Sequence, residues 1–211
     1  MEEKYISLWD KSAEENDYAG HVETTRDADV IVVGGGFTGL STAYHGAKLG
    51  LDIHVLEANK IGYGGSGRNT GLVNAGLWLP PQDVNKKLGT ETGASLIETL
   101  GKMPEYVFSL IEKHQIQCEA TQNGTIHAAH SLAGLKNLEA RAQEWQRLSA
   151  PVELLTAKET ESKTGTKRFY GGLLDNRAGT INPMGYVRGL ARIALAAGAR
   201  ISTGIHVEKL A

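Results

Sequence analysis

Hydrophobic and polar positions divide the chain into short blocks with two different periods. Val30-Ile31-Val32-Val33 is a continuous apolar run closed by Gly34, Gly35 and Gly36. Such a run predicts a strand buried on both faces of a parallel sheet. From Thr38 to Leu49 the positions Leu40, Ala43, Tyr44 and Ala47 recur at helical spacing, with Gly50 set to follow the helix end. Ile53–Leu56 is a second apolar run, ending at Glu57. Strand, glycine turn, helix and strand thus follow one another within residues 29–57. Residues 58–82 then carry no helical pattern and read as a long glycine-rich loop, a length that marks a functional segment.

Residues 83–115 read as helical with an interruption near Gly101–Pro104, where a glycine and a proline fall close together. Short strands are predicted at Ile116–Thr121 and, after the Asn123-Gly124 turn signal, at Gly124–Ala129. Ser131–Leu148 has the amphipathic period of a helix, with Leu132, Leu135, Leu138, Ala142 and Trp145 facing inward. Val152–Leu155 is a strand, and Thr156-x-x-Glu159 is a capping box opening a further helix. Tyr170–Asp175 is strand-like, with a turn at Asn176–Gly179 leading to Thr180-Ile181. Asn182 caps a helix with Pro183 at its first position, running to Gly198. Arg200–Thr203 is the next strand and Ile205–Leu210 begins another. The fold class is α/β: a split Rossmann domain interrupted by helices and a partial second sheet. The segments are a lead-in at 1–28, the βαβ unit and glycine loop at 29–82, the inserted part at 83–181, and a return at 182–211.

Composition narrows the chemistry. Glycine supplies 26 of 211 residues, about 12% against about 7% in ordinary proteins, and clusters at 34–39 and 62–71, where backbone can approach a ligand. A formal charge of −2 gives no electrostatic reason for nucleic acid or an anionic membrane as partner. No stretch approaches the ~18 apolar residues of a membrane span, and the first 28 residues hold no signal-peptide core. A single cysteine, Cys118, cannot form an internal disulfide. The expected setting is cytoplasmic.

Gly34-x-Gly36-x-x-Gly39 lies directly after a predicted strand and opens a helix, the context a dinucleotide fingerprint requires. The first glycine permits the turn, the second lets backbone approach a pyrophosphate, and the third packs helix on strand. The helix N-terminus offers N–H groups and positive potential to phosphate. Glu57 ends the second strand where a ribose hydroxyl would be gripped. This fingerprint does not separate FAD from NAD. The second cluster, Ile61-Gly-Tyr-Gly-Gly-Ser-Gly-Arg-Asn-Thr-Gly71, stands where a nicotinamide-binding unit would start its next helix. Such a loop can lie along an extended dinucleotide, with a hydroxyl for pyrophosphate and backbone donors for a ring system. His127-Ala-Ala-His130 is not expected to bind metal, because three-residue spacing on a strand puts the side chains on opposite faces. Trp9, Trp78 and Trp145 are too dispersed for a stacking platform and are expected to be anchors. Asp175 and Arg177 are expected in a solvated turn, with steering of substrate as the alternative.

The motifs VIVVGGGFTGLSTA, LEANKIGYGGSGRNTG and GLLDNRAGTINPMGYVRGLARIALAAGARI resemble the glycine oxidase/D-amino-acid oxidase superfamily of FAD-dependent oxidoreductases. Through the GxSGRNxG loop and the LLDxRxGxxxP segment the sequence is most similar to its gamma-glutamylputrescine oxidase branch, and SLWDKSA also looks like that branch's N-terminus. The resemblance implies a glutathione-reductase-like FAD-binding topology with part of an inserted α+β substrate domain. It implies that Gly34, Gly36, Phe37, Thr38 and Gly39 surround the pyrophosphate and that Glu57 holds the adenosine ribose, with Ala58, Asn59 and Lys60 beside it. Ser66 would reach pyrophosphate, with Gly65 beside it among the cofactor-binding residues, Arg68, Asn69, Thr70 and Gly71 would approach the isoalloxazine side, and Val207 the adenine. The cofactor would be FAD. The substrate would be an amine or amino acid, oxidised at a C–N bond, with oxygen or another acceptor taking the electrons. The family pattern continues past Leu210, so the chain is expected to be an N-terminal portion inactive alone, and its catalytic residues stay unassigned. A non-catalytic flavin-binding remnant and an NAD-dependent dehydrogenase are the competing readings.

Overall fold

The computed structural model describes residues 6–18, 20, 27–77 and 79–209. They fall into two compact units, Met1–Gly71 with Leu110–Ala120 and Ile181–Ala211, and Leu72–Ser109 with Thr121–Thr180.

The first unit is built on three parallel strands in the order β1-β2-β8: β1 (Val30–Val33), β2 (Ile53–Glu57) and β8 (Arg200–Thr203). Register runs Val30↔Ile53 to Val33↔Leu56 and His54↔Arg200 to Glu57↔Thr203. Helix α2 (Phe37–Lys48) follows β1, and α7 (Pro183–Ala196) precedes β8. The sequence signals act as expected at two helix ends: Gly50 takes the left-handed conformation after α2, and at the start of α7 Asn182 accepts the Gly185 N–H and Pro183 takes the first position. Leu40, Ala43, Ile53, Val55, Val187, Leu190, Ala191 and Ile201 form the core, each large aliphatic side chain contributing roughly 1.5–3 kcal/mol by leaving water.

Three expectations for this unit fail. β1 is not buried on both faces: Ile31 and Val33 are 50% and 58% exposed, because β1 ends the described sheet and alternates its side chains across it. Ile116–Thr121 is not a strand. Gln115 and Glu119 take positive φ, which breaks extended geometry, and Ile116 and Cys118 instead bury against the glycine-bearing surface of α7 at Gly189 and Gly185. Burial, with Glu15 and Glu119 nearby, pushes the Cys118 thiol up to about 12, the state of an inert structural cysteine. Residues 205–209 are not a strand either. Their ladder with β2 stops at Ile205, whose N–H donates to the Glu57 carbonyl. A helix absent from those expectations, α1 (Leu8–Ser12), lies in the polar lead-in.

The second unit holds an antiparallel sheet, β4-β6-β5, of β4 (Thr125–Ala129), β5 (Val152–Thr156) and β6 (Gly171–Asp175). A two-stranded ladder pairs β3 (Leu72–Val73) with β7 (Gly179–Thr180). Four helices begin in this unit: α3 (Pro81–Leu88), α4 (Thr90–His114), α5 (Leu132–Arg147) and α6 (Ala157–Thr164). Ser131 caps α5 and the Thr156/Glu159 capping box opens α6. Leu138, Ala142 and Trp145 of α5 pack on Ala129, Val152 and Leu173. Leu132 does not face inward; at the first position of the helix it is 68% exposed.

The helical break also moves. It falls at Gly89, with φ +81°, and α4 runs unbroken through Gly101 and Pro104. A proline inside a helix leaves the carbonyl four residues earlier without its donor. Here the Gly76 N–H supplies it, 3.1 Å from the Leu100 oxygen. Asp175 and Arg177 are not solvated: they form a two-pronged ion pair at 2.6 and 2.9 Å, under 20% exposed, with the guanidinium over the Trp145 ring.

Candidate cofactor site

The site grows out of the turn between β1 and α2. Gly34 has φ +105°, a conformation that L side chains rarely adopt, and its N–H donates to Leu56. That bond ties the turn to the end of β2. A Cβ on Gly39 would strike the Gly34 carbonyl and Val32, so the missing side chain lets α2 sit directly on β1. Gly36 caps α2 without a side-chain bond, and no acidic residue stands in the first turn. The helix therefore presents positive potential at this end, with N–H groups at Thr38 and Gly39 and no carboxylate within its own first turn.

Glu57 reaches back over this turn. Its Oε2 accepts the Gly35 N–H at 2.6 Å and its Oε1 the Asn59 N–H at 2.8 Å. Ala58, half-buried, and Asn59, exposed, follow directly. The Lys60 ammonium is held by Asp10 at 3.0 Å. Gly204 and Ile205 donate to the Asn59 and Glu57 carbonyls, at 3.3 and 2.9 Å, which brings the Val207 segment alongside the same stretch.

The second glycine cluster closes on the first. Gly65–Gly67 form a 3-10 turn, and the Ser66 Oγ accepts the Phe37 N–H at 3.0 Å. Arg68 donates to the Gly64 carbonyl at 3.1 Å and lies over the Tyr63 ring. Asn69 folds the loop from within: its amide donates to the Gly65 and Ser66 carbonyls, and its Oδ1 accepts the Gly71 N–H. Thr70 is exposed. Gly71, with φ +75° and its carbonyl bound by the Ile181 N–H, carries the chain out of the loop.

The structure thus gathers 34–39, 57–60, 65–71 and the 204–207 segment in one unit. Sequence reasoning missed Trp9 and Asp10, whose side chains reach Asn69 and Lys60. The one signal for them was Ser7-x-x-Asp10, a capping box that the structure forms. Trp78 lies outside the described residues. His130 falls just past β4, and no cluster of metal-binding side chains occurs among the described residues. No described helix is long and apolar enough to cross a membrane.

The two glycine clusters, an uncapped helix N-terminus and an acidic strand end thus come together in one unit. The sequence model of the DAO family, described as FAD dependent oxidoreductase, matches residues 29–211. Gamma-glutamylputrescine oxidoreductase of Escherichia coli (strain K12) is 34% identical over 174 residues, covering 82% of this chain and 41% of that protein. A probable oxidoreductase, OrdL, of Rhizobium meliloti (strain 1021) is 31% identical over 188 residues, covering 88% and 44%. The chain spans less than half the length of these curated relatives. Glycine oxidase from Geobacillus kaustophilus shares the fold, with a TM-score of 0.69 and 22% identity over 85% of this chain and 47% of that one. The match takes in the first strand, both glycine clusters and the Asn182-capped helix, and the chain belongs to the DAO family of FAD dependent oxidoreductases.

Proposed function

We propose that the chain holds FAD along this cradle and serves oxidation of an amine or amino-acid C–N bond to an imine. The observation that carries the reading is the meeting of Ser66 with the Phe37 N–H at 3.0 Å. Two glycine clusters separated by a helix and a strand converge on one helix N-terminus, which suits a cofactor longer than one mononucleotide half. The compounds named in gamma-glutamylputrescine oxidoreductase and glycine oxidase support the substrate class.

FAD, when bound, supplies a two-electron acceptor for hydride from the carbon bearing nitrogen, the electrons passing on to oxygen or another acceptor. The chain's own part is binding and placement. The α2 N-terminus and the Ser66 hydroxyl meet pyrophosphate oxygens. Glu57, fixed by two backbone donors, offers acceptor lone pairs to ribose hydroxyls. Ala58, Asn59 and Lys60 flank the ribose, and Val207 lies toward the adenine. Arg68, Asn69, Thr70 and Gly71 line the ring side, where bonds between the Asn69 side chain and the backbone hold the loop shape. Reconstitution tests the reading: the chain should take up FAD and turn yellow, with flavin released on denaturation. A colourless protein that binds NADH and takes up no FAD would overturn it.

A further inference from the structure

Helix α1 is five residues long and has no buried residue. It therefore contributes little to the hydrophobic core, and its contacts are polar and directed. The Trp9 indole N–H donates to the Asn69 carbonyl at 2.8 Å. The Asp10 Oδ1 accepts from Lys60 at 3.0 Å and from Arg188 of α7 at 3.5 Å. Its Oδ2 closes the capping box with the Ser7 N–H at 3.1 Å, so this carboxylate is used on both oxygens. Behind α1, the Ser12 hydroxyl accepts from the Asn182 amide. Glu15 is gripped by Arg192 at 2.6 and 3.0 Å and by the Gln117 N–H. The helix is thus tied to α7 at one side and to residues 60 and 69 at the other.

Those two attachment points matter because of what lies between them. Residues 62–71 include five glycines, and glycine-rich backbone loses more freedom on ordering than any other. Side-chain bonds from Ser66, Arg68 and Asn69 hold the loop from position 66 onward. Asn69 is the hub, and its own carbonyl is the group that Trp9 holds.

We propose that α1 is a clasp for the cofactor loop: Trp9 and Asp10 are positioning residues that hold Asn69 and Lys60, so that the loop has its flavin-binding shape before FAD arrives. The proposal rests on the reading of residues 65–71 as the flavin-side loop. Preformed loops bind more tightly because the ordering cost is met in folding.

Trp9→Phe removes the indole donor and keeps a ring; Asp10→Asn removes the charge and keeps the shape. Both variants and the parent are compared as apoprotein by trypsin cleavage after Arg68, by FAD titration, and by thermal melting. The clasp predicts faster cleavage at Arg68 in both variants without FAD. It also predicts FAD affinity weaker by roughly three- to tenfold, the size one hydrogen bond contributes, with the apoprotein melt of Trp9→Phe close to the parent. Arg68 cleavage at the parent rate in Trp9→Phe overturns the clasp, whatever the affinity. Failure of the parent to bind FAD overturns the cofactor reading instead, since the cleavage comparison needs no FAD.

Discussion

Replacing Glu57 by alanine strikes the cradle at its most connected side chain. The carboxylate accepts N–H groups from Gly35 at 2.6 Å and Asn59 at 2.8 Å, so one side chain fixes both the glycine turn and the chain leaving β2. A hydrogen bond to a charged group contributes about 1.5–3 kcal/mol. Glu57 is half-buried and water can take over part of each bond, so the lower figure applies, about 3 kcal/mol for the pair. Alanine leaves the turn free to sample other shapes, and binding must then re-order it without a ribose acceptor. At 1.4 kcal/mol per factor of ten, FAD affinity should fall roughly a hundredfold. Glutamine keeps one acceptor oxygen but sets an amide NH2 against the second N–H. It should lose about half of that free energy, roughly tenfold in affinity. The assay is titration of apoprotein with FAD, read by flavin fluorescence, beside a melt of each apoprotein. If Glu57→Ala binds FAD within about twofold of the parent, a range far below one such bond, the ribose is held elsewhere and the reasoning is wrong.

Two further outcomes follow from contacts in the first unit. Gly39→Ala places a Cβ against the Gly34 carbonyl, forcing α2 off β1; overpacking of this kind costs about 1–3 kcal/mol, and an unchanged denaturation midpoint would contradict the close approach. For acid pH, burial works against ionisation of Glu15, but the Arg192 guanidinium and the Gln117 N–H hold its carboxyl below its ordinary value of 4.5. Asp10 is held low in the same way, by Lys60 and Ser7 against burial. A depressed carboxylate stabilises the fold fully above its unfolded value, and that contribution is lost as pH falls through the folded one. Melting curves should therefore show the parent more stable than Glu15→Gln at neutral pH, with the gap closing in the acid range; a gap independent of pH would remove the ion pair from the account.

Local chemistry was the legible part of this molecule. The βαβ unit, the Asn182 cap and the Thr156 capping box each depend on neighbours within a few residues, and each stands where the sequence places it. What stayed hidden depends on distant partners. Pro104 looked like a break because its freed carbonyl partner needs a donor, and that donor, Gly76, is far along the chain. Ile116–Thr121 has the alternation of a strand, yet its apolar residues answer to the glycines of α7 rather than to a neighbouring strand. Val30–Val33 reads as doubly buried, whereas exposure of Ile31 and Val33 depends on what covers the sheet, which no local pattern encodes. In the site, the glycine motifs were readable by type, but their meeting at Phe37 and their attachment to Trp9 were not.

That meeting also limits how the pyrophosphate can be held. The Phe37 N–H, the first orphan donor of α2, is already taken by the Ser66 Oγ. A hydroxyl that accepts an N–H still has its own proton to give. Ser66 therefore passes the donor role of the helix end outward by one atom, so a phosphate oxygen can meet a hydroxyl there and the bare amides of Thr38 and Gly39 beside it. A Cβ at position 36 would collide with the serine oxygen, so the middle glycine of the fingerprint leaves room for Ser66. Because Ser66 is positioned by a loop that Asn69 folds from within, the geometry at the phosphate depends on bonds three residues away. The cradle is assembled by the chain's own polar contacts, and FAD would enter a site whose donors already have their directions.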